Sequence, residues 1–327
     1  MTLACWDYDR TESLRNGRIQ PEGIDLNCIT LSVQETFFRM LSNFEFDASE
    51  MSFASYTLSL EKEKPSLIAI PVFLSRVFRH SGIYVNVHSN IREPRDLIGK
   101  KVGVAEWQLT AGVWIRGILS DYYKVPLSSV TYFTGGEEKP GRKEKIPIAN
   151  LPEDVKLIPI GPDETLSSML ERGEIDALYS PRIPSCFGSA NVKRLFENPK
   201  AEEERYFQET KIFPIMHTVV IRRSLYEENP WVARSLYKAF EESKKIAHYN
   251  ILESHKEGAF KIMDPWLPYH VSEIRKTMGE DFWPYGLVSN YHVIDTFLKY
   301  AHEQGLTRNA RRPEDLFAPE TRTAFVI

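Results

Sequence analysis

Two arginines and a histidine stand close together in the sequence at Arg76, Arg79 and His80. They follow the apolar run 67–72 and precede the apolar run 83–87, so we expect them at the end of a buried strand. In open α/β sheets, ligands bind at the carboxyl ends of the strands. Two planar guanidinium forks and an imidazole there suit a dianionic aromatic acid. The alternative is a salt bridge for one arginine and solvent for the other.

His217 is the second candidate for chemistry, and it lies inside the apolar run 213–221. A lone histidine in such a run is usually a core residue whose ring nitrogens are satisfied. If the run is instead a crossover between two lobes, His217 faces a cleft and becomes a candidate for acid–base catalysis. His80 would then converge with it from the other side of the same hinge.

The segment 96–119 is the one around which we expect the chain to be organised. Its apolar run 102–105 predicts a buried strand, and 111–119 predicts a helix with one apolar face. The turn 106–110 would then present unpaired backbone N–H groups and the positive end of a helix dipole, which is a place to hold an anion. An ordinary strand–helix connection with Thr110 as the N-cap is the alternative.

Three side chains of this segment have two interpretations each. Glu106 is either a solvated turn residue or a proton donor whose pKa a closed cleft would raise. Trp107 is either a core residue or a wall on which an aromatic ring stacks. Arg116 lies on the predicted helix and points either back toward the turn or outward. The polar insertion 135–145 is expected to be a solvated loop, because no strand–GxxxxGK–helix order surrounds it.

Further candidates follow other predicted strands. Arg182 comes after the predicted strand 177–179 and would either clamp a carboxylate or form a salt bridge. Four polar side chains occupy equivalent positions near the start of the chain and rank lower: Asp9, Arg10, Glu50 and Ser52.

The composition limits the class of protein. The chain has 327 residues, enough for two lobes with their own cores, and 42% of them are hydrophobic and 26% charged. With a formal net charge of -4, the chain lacks the basic stripe that a nucleic-acid surface needs. No apolar run is long enough to predict a membrane span. We expect a small-molecule partner, and a homo-oligomer is compatible with the sequence.

Signatures of metal sites, disulfides and hydrolases are missing. Cys5, Cys28 and Cys186 are odd in number and widely spaced, without a CxxC pair. There is no HExxH, HxH or Asp-rich loop, and His248 and His255 on a predicted helix are expected at the surface. The nucleophile elbow GxSxG is missing as well. We therefore expect no metal and no serine or zinc route to hydrolysis.

Strands alternate with helices along the chain, which indicates an α/β fold. The run LIGKKVGV at 97–104, followed by Thr110-Ala111 and by GEIDA at 173–177, is similar to the second-lobe pattern of type II periplasmic-binding-protein folds. Those folds consist of two α/β lobes with the ligand in a central cleft. The resemblance implies a discontinuous first lobe, 1–88 with 217–327, and a second lobe, 89–216.

A narrower resemblance covers nearly the whole chain. Its motifs are PVF at 71–73, SR at 75–76, FRHS at 78–81, TA at 110–111, Trp114, RG at 116–117, FPIMH at 213–217 and WPYGL at 283–287. In these motifs the chain resembles the 4,5-dihydroxyphthalate decarboxylase family. The resemblance implies non-oxidative loss of one carboxylate from a dihydroxylated aromatic diacid, giving protocatechuate and carbon dioxide, in the cytoplasm and without a cofactor.

That reaction requires a base near the phenol, an acid near the ring carbon and cations for the carboxylate that stays. We assign proton transfer to His217 and His80, with Glu106 as the competing acid, and leave open which histidine is the acid. The predicted binding residues are Ser52, Arg76, Arg79, Trp107, Thr110, Arg116 and Arg182. Two alternatives stay open: a non-catalytic solute-binding protein for an aromatic carboxylate, and another hydroxybenzoate decarboxylase or lyase on the same fold. The sequence as given shows no export signal, which favours an enzyme over a transporter's receptor.

Overall fold

The computed structural model describes residues 1–148, 150–253, 256, 258 and 260–323. The chain forms two compact units. The first comprises Met1–Arg76, Ile215–Ile294 and Arg312–Ile327, and the second comprises Val77–Pro214 and Asp295–Arg311. These bounds differ from the predicted lobes, since residues 77–88 and 295–311 belong to the second unit.

The two units draw on alternating strands and helices. The strands are β1 Thr2–Cys5, β2 Asn27–Thr30, β3 Ala48–Ser52, β4 Leu67–Arg76, β5 Ile83–Asn86, β6 Lys101–Val104, β7 Thr131–Thr134, β8 Lys156–Pro159, β9 Ala177–Tyr179, β10 Val192–Arg194 and β11 Ile215–Arg222. The α-helices are α1 Asp9–Arg15, α2 Val33–Asn43, α3 Phe53–Ser59, α4 Thr110–Asp121, α5 Leu166–Arg172, α6 Pro199–Thr210, α7 Arg223–Glu228, α8 Trp231–Leu252, α9 Leu267–Met278 and α10 Leu287–Glu303. The predicted α/β class is confirmed.

The first unit is built on a sheet in the order β2-β1-β3-β11-β4. β1 pairs in parallel with β2 and β3, whereas β11 runs antiparallel to β3 and β4. β4 reads as an apolar run because nearly all of its residues are buried. The pairing of β3 with β11 sets His217 opposite Ser52, and the pairing of β11 with β4 sets Ile215 opposite Arg76.

The second unit has a sheet in the order β10-β5-β9-β6-β7-β8. β9, β6, β7 and β8 are parallel neighbours, and β5 is antiparallel to β9 and β10. The parallel strands therefore present their carboxyl ends at one edge, and the chain continues there into Glu106, Glu137 and Ser180. Leu166, Leu170, Ile175 and Leu178 form part of the core of this unit.

Predicted and observed elements differ mainly where helices carry few apolar residues. The predicted strand 177–179 coincides with β9. α6 was not predicted because its sequence, PKAEEERYFQET, buries only Tyr206. The predicted helix that carries His255 falls partly outside the described residues. No helix in the described part of the chain combines the length and the apolar character that crossing a bilayer requires.

Candidate functional site

His217 in the first unit is hydrogen-bonded to a buried carboxylate. Its Nδ1 lies 2.6 Å from Oε1 of Glu50, and the Glu50 side chain is fully enclosed. The two residues lie 167 positions apart in the sequence, and the pairing of β3 with β11 brings them together. A carboxylate at Nδ1 holds the proton there in neutral imidazole, so the lone pair of Nε2 is available to accept a proton. The pair has the geometry of an oriented general base.

Two further donors hold Glu50 in place. The Tyr8 hydroxyl donates to Oε1 at 2.6 Å, and the backbone N–H of Trp6 donates to Oε2 at 3.1 Å. Burial alone would raise the pKa of Glu50, but the charge and hydrogen bond of His217, with those two donors, lower it below its usual value. Glu50 is therefore an anion bonded to Nδ1 of His217.

The imidazole of His217 is partly exposed and is fixed by packing. Its side chain keeps 17% of its surface accessible, and the ring of Phe37 meets it edge-on at 4.9 Å between centroids. The cross-strand partner Ser52 ends β3 and caps α3 by accepting from the backbone N–H of Ser55 at 3.3 Å. His217 thus combines an anchored ring with access for another molecule.

Arg76, at the end of β4, is buried inside the first unit. It donates to the carbonyl oxygen of Pro284 at 2.8 Å and to the side-chain oxygen of Asn290. Only 4% of the residue is exposed, and this burial lowers the pKa of its guanidinium to about 9. Its predicted function in binding a carboxylate stays a prediction.

In the second unit, the predicted anion site at 106–110 is filled by the chain itself. The Glu144 carboxylate accepts from the backbone N–H of Trp107, and it also accepts from the Gln108 side chain at 3.2 Å. Burial raises the pKa of Glu144 above its usual value. An internal carboxylate therefore occupies the donors that the sequence predicted for an external anion.

The insertion 135–145 is solvated only in part: residues 138–141 and 143 are exposed, whereas 135–137 are buried. Arg142 and Lys145 both pair with Glu106, the latter at 3.2 Å, and the Glu106 side chain is only 1% exposed. The basic residues of the insertion pair with the Glu106 carboxylate, and Glu144 accepts from backbone donors of the turn after β6. These contacts hold the segment against the edge of the sheet. Glu106 is accordingly an ion-paired carboxylate, and its predicted function as an acid stays a prediction.

Thr110 is not the N-cap of α4. The cap position belongs to Leu109, which has extended backbone angles, and Thr110 is the first residue of the helix. The helix begins one residue earlier than the sequence suggested, because Leu109 already accepts the first helical hydrogen bond from Val113 at 2.9 Å. Binding of substrate by Thr110 stays a prediction.

Trp107 and Arg116 pack on each other inside the second unit. The guanidinium carbon of Arg116 lies 3.8 Å from the centre of the Trp107 ring. Arg116 also donates to the Trp107 carbonyl oxygen at 2.6 Å and to the Gln304 side chain at 2.8 Å. Both residues are at most 1% exposed. Their packing favours the core interpretation of Trp107 and the inward orientation of Arg116.

His80 occupies an aromatic cage in the second unit. The rings of Tyr123, Phe196 and Tyr206 surround it, with centroids 5.2 to 5.9 Å away. Both ring nitrogens are buried, and neither has a hydrogen-bond partner among the described residues. Burial, followed by the charge of Arg205, lowers the pKa of His80 to about 4. A neutral, enclosed imidazole suits a structural function better than proton transfer.

The two remaining arginines differ in exposure. Arg79 is 8% exposed and donates to the Pro181 carbonyl oxygen at 3.3 Å, and burial lowers its pKa to about 10. Arg182 is exposed, and its backbone N–H donates to the Ser180 hydroxyl at 3.1 Å. The segment 181–182 therefore lies beside Arg79 in the second unit.

Each unit thus brings together its own part of the predicted set. The first unit holds Ser52, Arg76 and His217 on adjoining strands. The second unit holds Arg79, His80, Glu106, Trp107, Thr110, Arg116 and Arg182. Among the described residues, no three His, Cys, Asp or Glu side chains are grouped as a metal ion would require. His255 lies outside the described residues.

Three residues that shape these sites were missed or ranked low. Tyr8 and Glu50 lie just before α1 and on β3, and only the strand-end position of Glu50 gave a signal. Glu144 was assigned to a solvated loop because its target lies 37 residues earlier in the sequence. The available sequence signal was a carboxylate that stands between two basic residues and follows a buried strand.

Comparison with curated proteins gives two clear relatives. A 4,5-dihydroxyphthalate decarboxylase of Comamonas testosteroni is 40% identical over 329 residues, covering 100% of this chain and 98% of that protein. Another from Pseudomonas putida is 38% identical over 210 residues, covering 64% of this chain and 81% of that protein. No family model matches the chain.

Solved structures show the same fold at much lower identity. The periplasmic aliphatic sulphonate binding protein SsuA from Escherichia coli aligns over 98% of both chains with a TM-score of 0.52 and 12% identity. That likeness shows the fold alone, a type II periplasmic-binding-protein-like fold. The sequence identity to the curated relatives shows the family. The chain belongs to the 4,5-dihydroxyphthalate decarboxylase family.

Proposed function

We propose that this enzyme decarboxylates 4,5-dihydroxyphthalate to protocatechuate without oxidation. The Comamonas testosteroni relative that carries this name covers the chain from end to end at 40% identity, which supports a carboxy-lyase acting on a small aromatic carboxylate. The observation in the structure that carries the proposal is the pair formed by Nδ1 of His217 and the buried carboxylate of Glu50, 2.6 Å apart.

The chemistry of the substrate defines what the protein has to supply. Each carboxylate of 4,5-dihydroxyphthalate stands para to a hydroxyl group. Removing the proton of that hydroxyl pushes electrons into the ring, and a proton then adds to the carboxylate-bearing carbon. Carbon dioxide leaves as the ring becomes aromatic again. The enzyme must therefore supply a base for the phenol, an acid for the ring carbon and cations for the remaining carboxylate.

We assign the base to His217. Glu50 holds the proton on Nδ1, so Nε2 accepts the phenolic proton, and the negative charge of Glu50 stabilises the imidazolium that forms. Since Tyr8 and Trp6 already bond to Glu50, that carboxylate needs little reorganisation when the charge appears on the ring.

The remaining assignments are proposals of lower rank. Arg76, Arg79 and Arg182 are the arginines assigned to substrate carboxylates, and Arg182 is exposed without ligand. Ser52 and Thr110 are assigned to positioning of the ring. Trp107 and Arg116 would act through the packing around them. Proton transfer by His80 or Glu106 stays a prediction that their surroundings do not favour.

Turnover decides between an enzyme and a binding protein. We expect the purified chain to release carbon dioxide from 4,5-dihydroxyphthalate and to form protocatechuate, which chromatography of the product detects. A parallel panel of phthalate, protocatechuate and 4-hydroxybenzoate tests which ring substituents are needed. Binding of 4,5-dihydroxyphthalate by calorimetry without product would contradict the proposal. Faster turnover of a different hydroxybenzoate would assign the chain to another substrate on the same fold.

We place the reaction in phthalate degradation, in the cytoplasm. A catabolic decarboxylase acts on an intermediate made inside the cell, and so it does not need the export that a transporter's receptor needs. Cell fractionation of the native host, followed by activity measurement in each fraction, checks this placement. Activity confined to a periplasmic fraction would contradict it.

A further inference from the structure

Glu137 lies where the second unit's sheet would meet a ligand, and nothing so far has given it a function. It follows β7, which is parallel to β6, and β6 is parallel to β9. Side chains after these three strands share the carboxyl edge of the sheet, the edge at which ligands bind in open α/β folds. Ser180, directly after β9, lies there as well.

The backbone around Glu137 is tightly fixed. A side chain at Gly136 would place its Cβ 1.6 Å from the carbonyl oxygen of Lys139, so only glycine fits this turn. The carbonyl oxygens of Gly136 and Glu137 accept from the backbone N–H groups of Leu166 and Ser167, at 2.9 and 3.1 Å. The position of the Glu137 carboxyl group is therefore built into the fold.

The bonds between Glu137 and Ser180 fit a protonated carboxyl group. The Ser180 Oγ lies 2.8 Å from Oε1 and 2.9 Å from Oε2, and it also accepts from the Arg182 backbone N–H. A hydroxyl has one proton to donate and two lone pairs. With Glu137 protonated, its O–H donates to Oγ and Oγ donates to the other oxygen, so both short contacts are satisfied. With Glu137 ionised, one proton would have to serve both oxygens.

We propose that Glu137 is kept as a neutral acid and is the catalytic residue that protonates the ring carbon from which carbon dioxide leaves. This inference rests on the proposed decarboxylation. It replaces Glu106 as the acid, because Glu106 is paired with Arg142 and Lys145, whereas the group bonded to Glu137 is a neutral hydroxyl.

The surroundings of Glu137 agree with this assignment. The residue is only 5% exposed, and burial raises its pKa above the usual value. The Ser180 hydrogen bond and the charges of Arg182 and Arg142 offset part of that rise, while the Glu138 charge adds to it. Tyr84 is a further titratable neighbour.

The step balances in atoms and electrons. The base takes the phenolic proton, and the proton of Glu137 forms a new C–H bond at the carboxylate-bearing carbon. The bond from that carbon to the carboxylate then breaks, its electron pair returns to the ring, and carbon dioxide leaves. The protonated base returns its proton to the phenolate, and Glu137 takes a proton from water for the next turnover.

Glu138 offers a matched control next in the sequence. Its carboxylate accepts from the Ser185 backbone N–H at 2.9 Å and from the Ser167 hydroxyl at 2.8 Å. Burial favours its neutral form, but these bonds lower its pKa below the usual value. Glu138 is therefore an ionised neighbour with the same side-chain length and a structural function.

The first test compares Glu137→Gln with Glu138→Gln in the full chain with 4,5-dihydroxyphthalate. We expect Glu137→Gln to lower kcat by roughly 10²- to 10⁴-fold. KM should change by less than about threefold, since a step after binding is affected. Glu138→Gln should keep kcat within about threefold of wild type. Full turnover by Glu137→Gln beside an active wild type would overturn the acid assignment alone, whereas an inactive wild type would overturn the proposed function on which it rests.

The second test reads the protonation state directly. Infrared difference spectra at neutral pH should contain the carbonyl band of a protonated carboxyl group in wild type and lack it in Glu137→Gln. A band that persists in Glu137→Gln would contradict the proposal.

Discussion

The two histidines singled out from the sequence, His217 in the first unit and His80 in the second, lie in opposite surroundings. His217 is bonded at Nδ1 to the buried carboxylate of Glu50 and is partly accessible. His80 is enclosed by aromatic rings and bonds to no described residue through either nitrogen. His80 follows an apolar run, His217 lies inside one, and both stand near arginines in the sequence. Sequence neighbours therefore do not tell whether an imidazole has the partner that catalysis requires.

The difference arises from how each histidine is packed. His217 lies on β11, and the antiparallel pairing of β11 with β3 brings a carboxylate to it. His80 begins a short 3₁₀ turn that packs against α6, which supplies Tyr206. A strand in mid-sheet receives side chains from both neighbours, whereas a turn under a helix receives what that helix buries.

The largest effect on kcat is expected from replacing His217 by alanine. Removal of the base should lower kcat by roughly 10²- to 10⁴-fold, since the phenolic proton then has no positioned acceptor. His80→Phe is the matched control and should keep kcat within about threefold, because the cage accepts another ring. Rates of protocatechuate formation check both. Equal losses of kcat in the two variants would contradict the assignment of the base to His217 rather than to His80.

The second prediction concerns stability and pH at His80. Because burial lowers its folded pKa to about 4 from 6.5, the unfolded chain binds the proton more tightly. Stability should therefore fall as pH drops from 6.5 to 4, by about 3 kcal/mol in full. Urea unfolding of wild type and His80→Phe at pH 7 and pH 5 measures this.

The variant should lose less stability than wild type over the same interval, since it has no imidazole to protonate. The charge of Arg205 acts in the same direction in wild type, because it also lowers the pKa of His80. Identical pH dependence in both proteins would mean that His80 is protonated as readily in the folded chain as in the unfolded one.

Glu50→Gln should make His217 resemble His80, since neither histidine would then be bonded to a carboxylate. The amide keeps the shape of the side chain but removes the charge that stabilises the imidazolium. A hydrogen bond to a charged group contributes about 1.5 to 3 kcal/mol, so kcat should fall by roughly 10- to 150-fold. Steady-state kinetics across pH checks this, and an unchanged pH profile would contradict a carboxylate that acts through His217.

The smallest expected effect is at Tyr8. Tyr8→Phe removes one of the donors to Glu50 while keeping the ring on which Arg10 stacks, 4.1 Å from its centre. A single neutral donor contributes about 1 kcal/mol, so kcat should fall by roughly fivefold. The same kinetic assay measures it. A loss as large as that of Glu50→Gln would show that Tyr8 does more than hold the carboxylate.

Much of the fold could be predicted because apolar periodicity marks it directly. β9 coincides with its predicted bounds, and β6 and α4 overlap the strand and helix predicted at 102–105 and 111–119. α6 could not be predicted, since its only fully buried residue is Tyr206 and a single apolar position has no period. The unit boundaries differ because helix α10 passes from one unit into the other within a continuous apolar pattern.

The site could be predicted only in part, because its bonds join distant segments. The type of residue at 217 and its apolar surroundings indicated a histidine with a function. The bond to Glu50 depends on which strands are neighbours in the sheet, and local sequence does not contain that order. Glu137 and Glu144 were assigned to solvent since their segment is polar, but polar residues opposite other polar residues can also be buried.

The carboxylate of Glu144 on the donors of Trp107 and Gln108 has a consequence for the second unit. An incoming acid would have to displace the Glu144 carboxylate from these donors. Its net gain in binding free energy is therefore only the difference between two similar anions. Through these hydrogen bonds, the start of α4 holds the long connection between β7 and β8 in place. Shortening that connection would leave two amide donors for water or dissolved ions to satisfy.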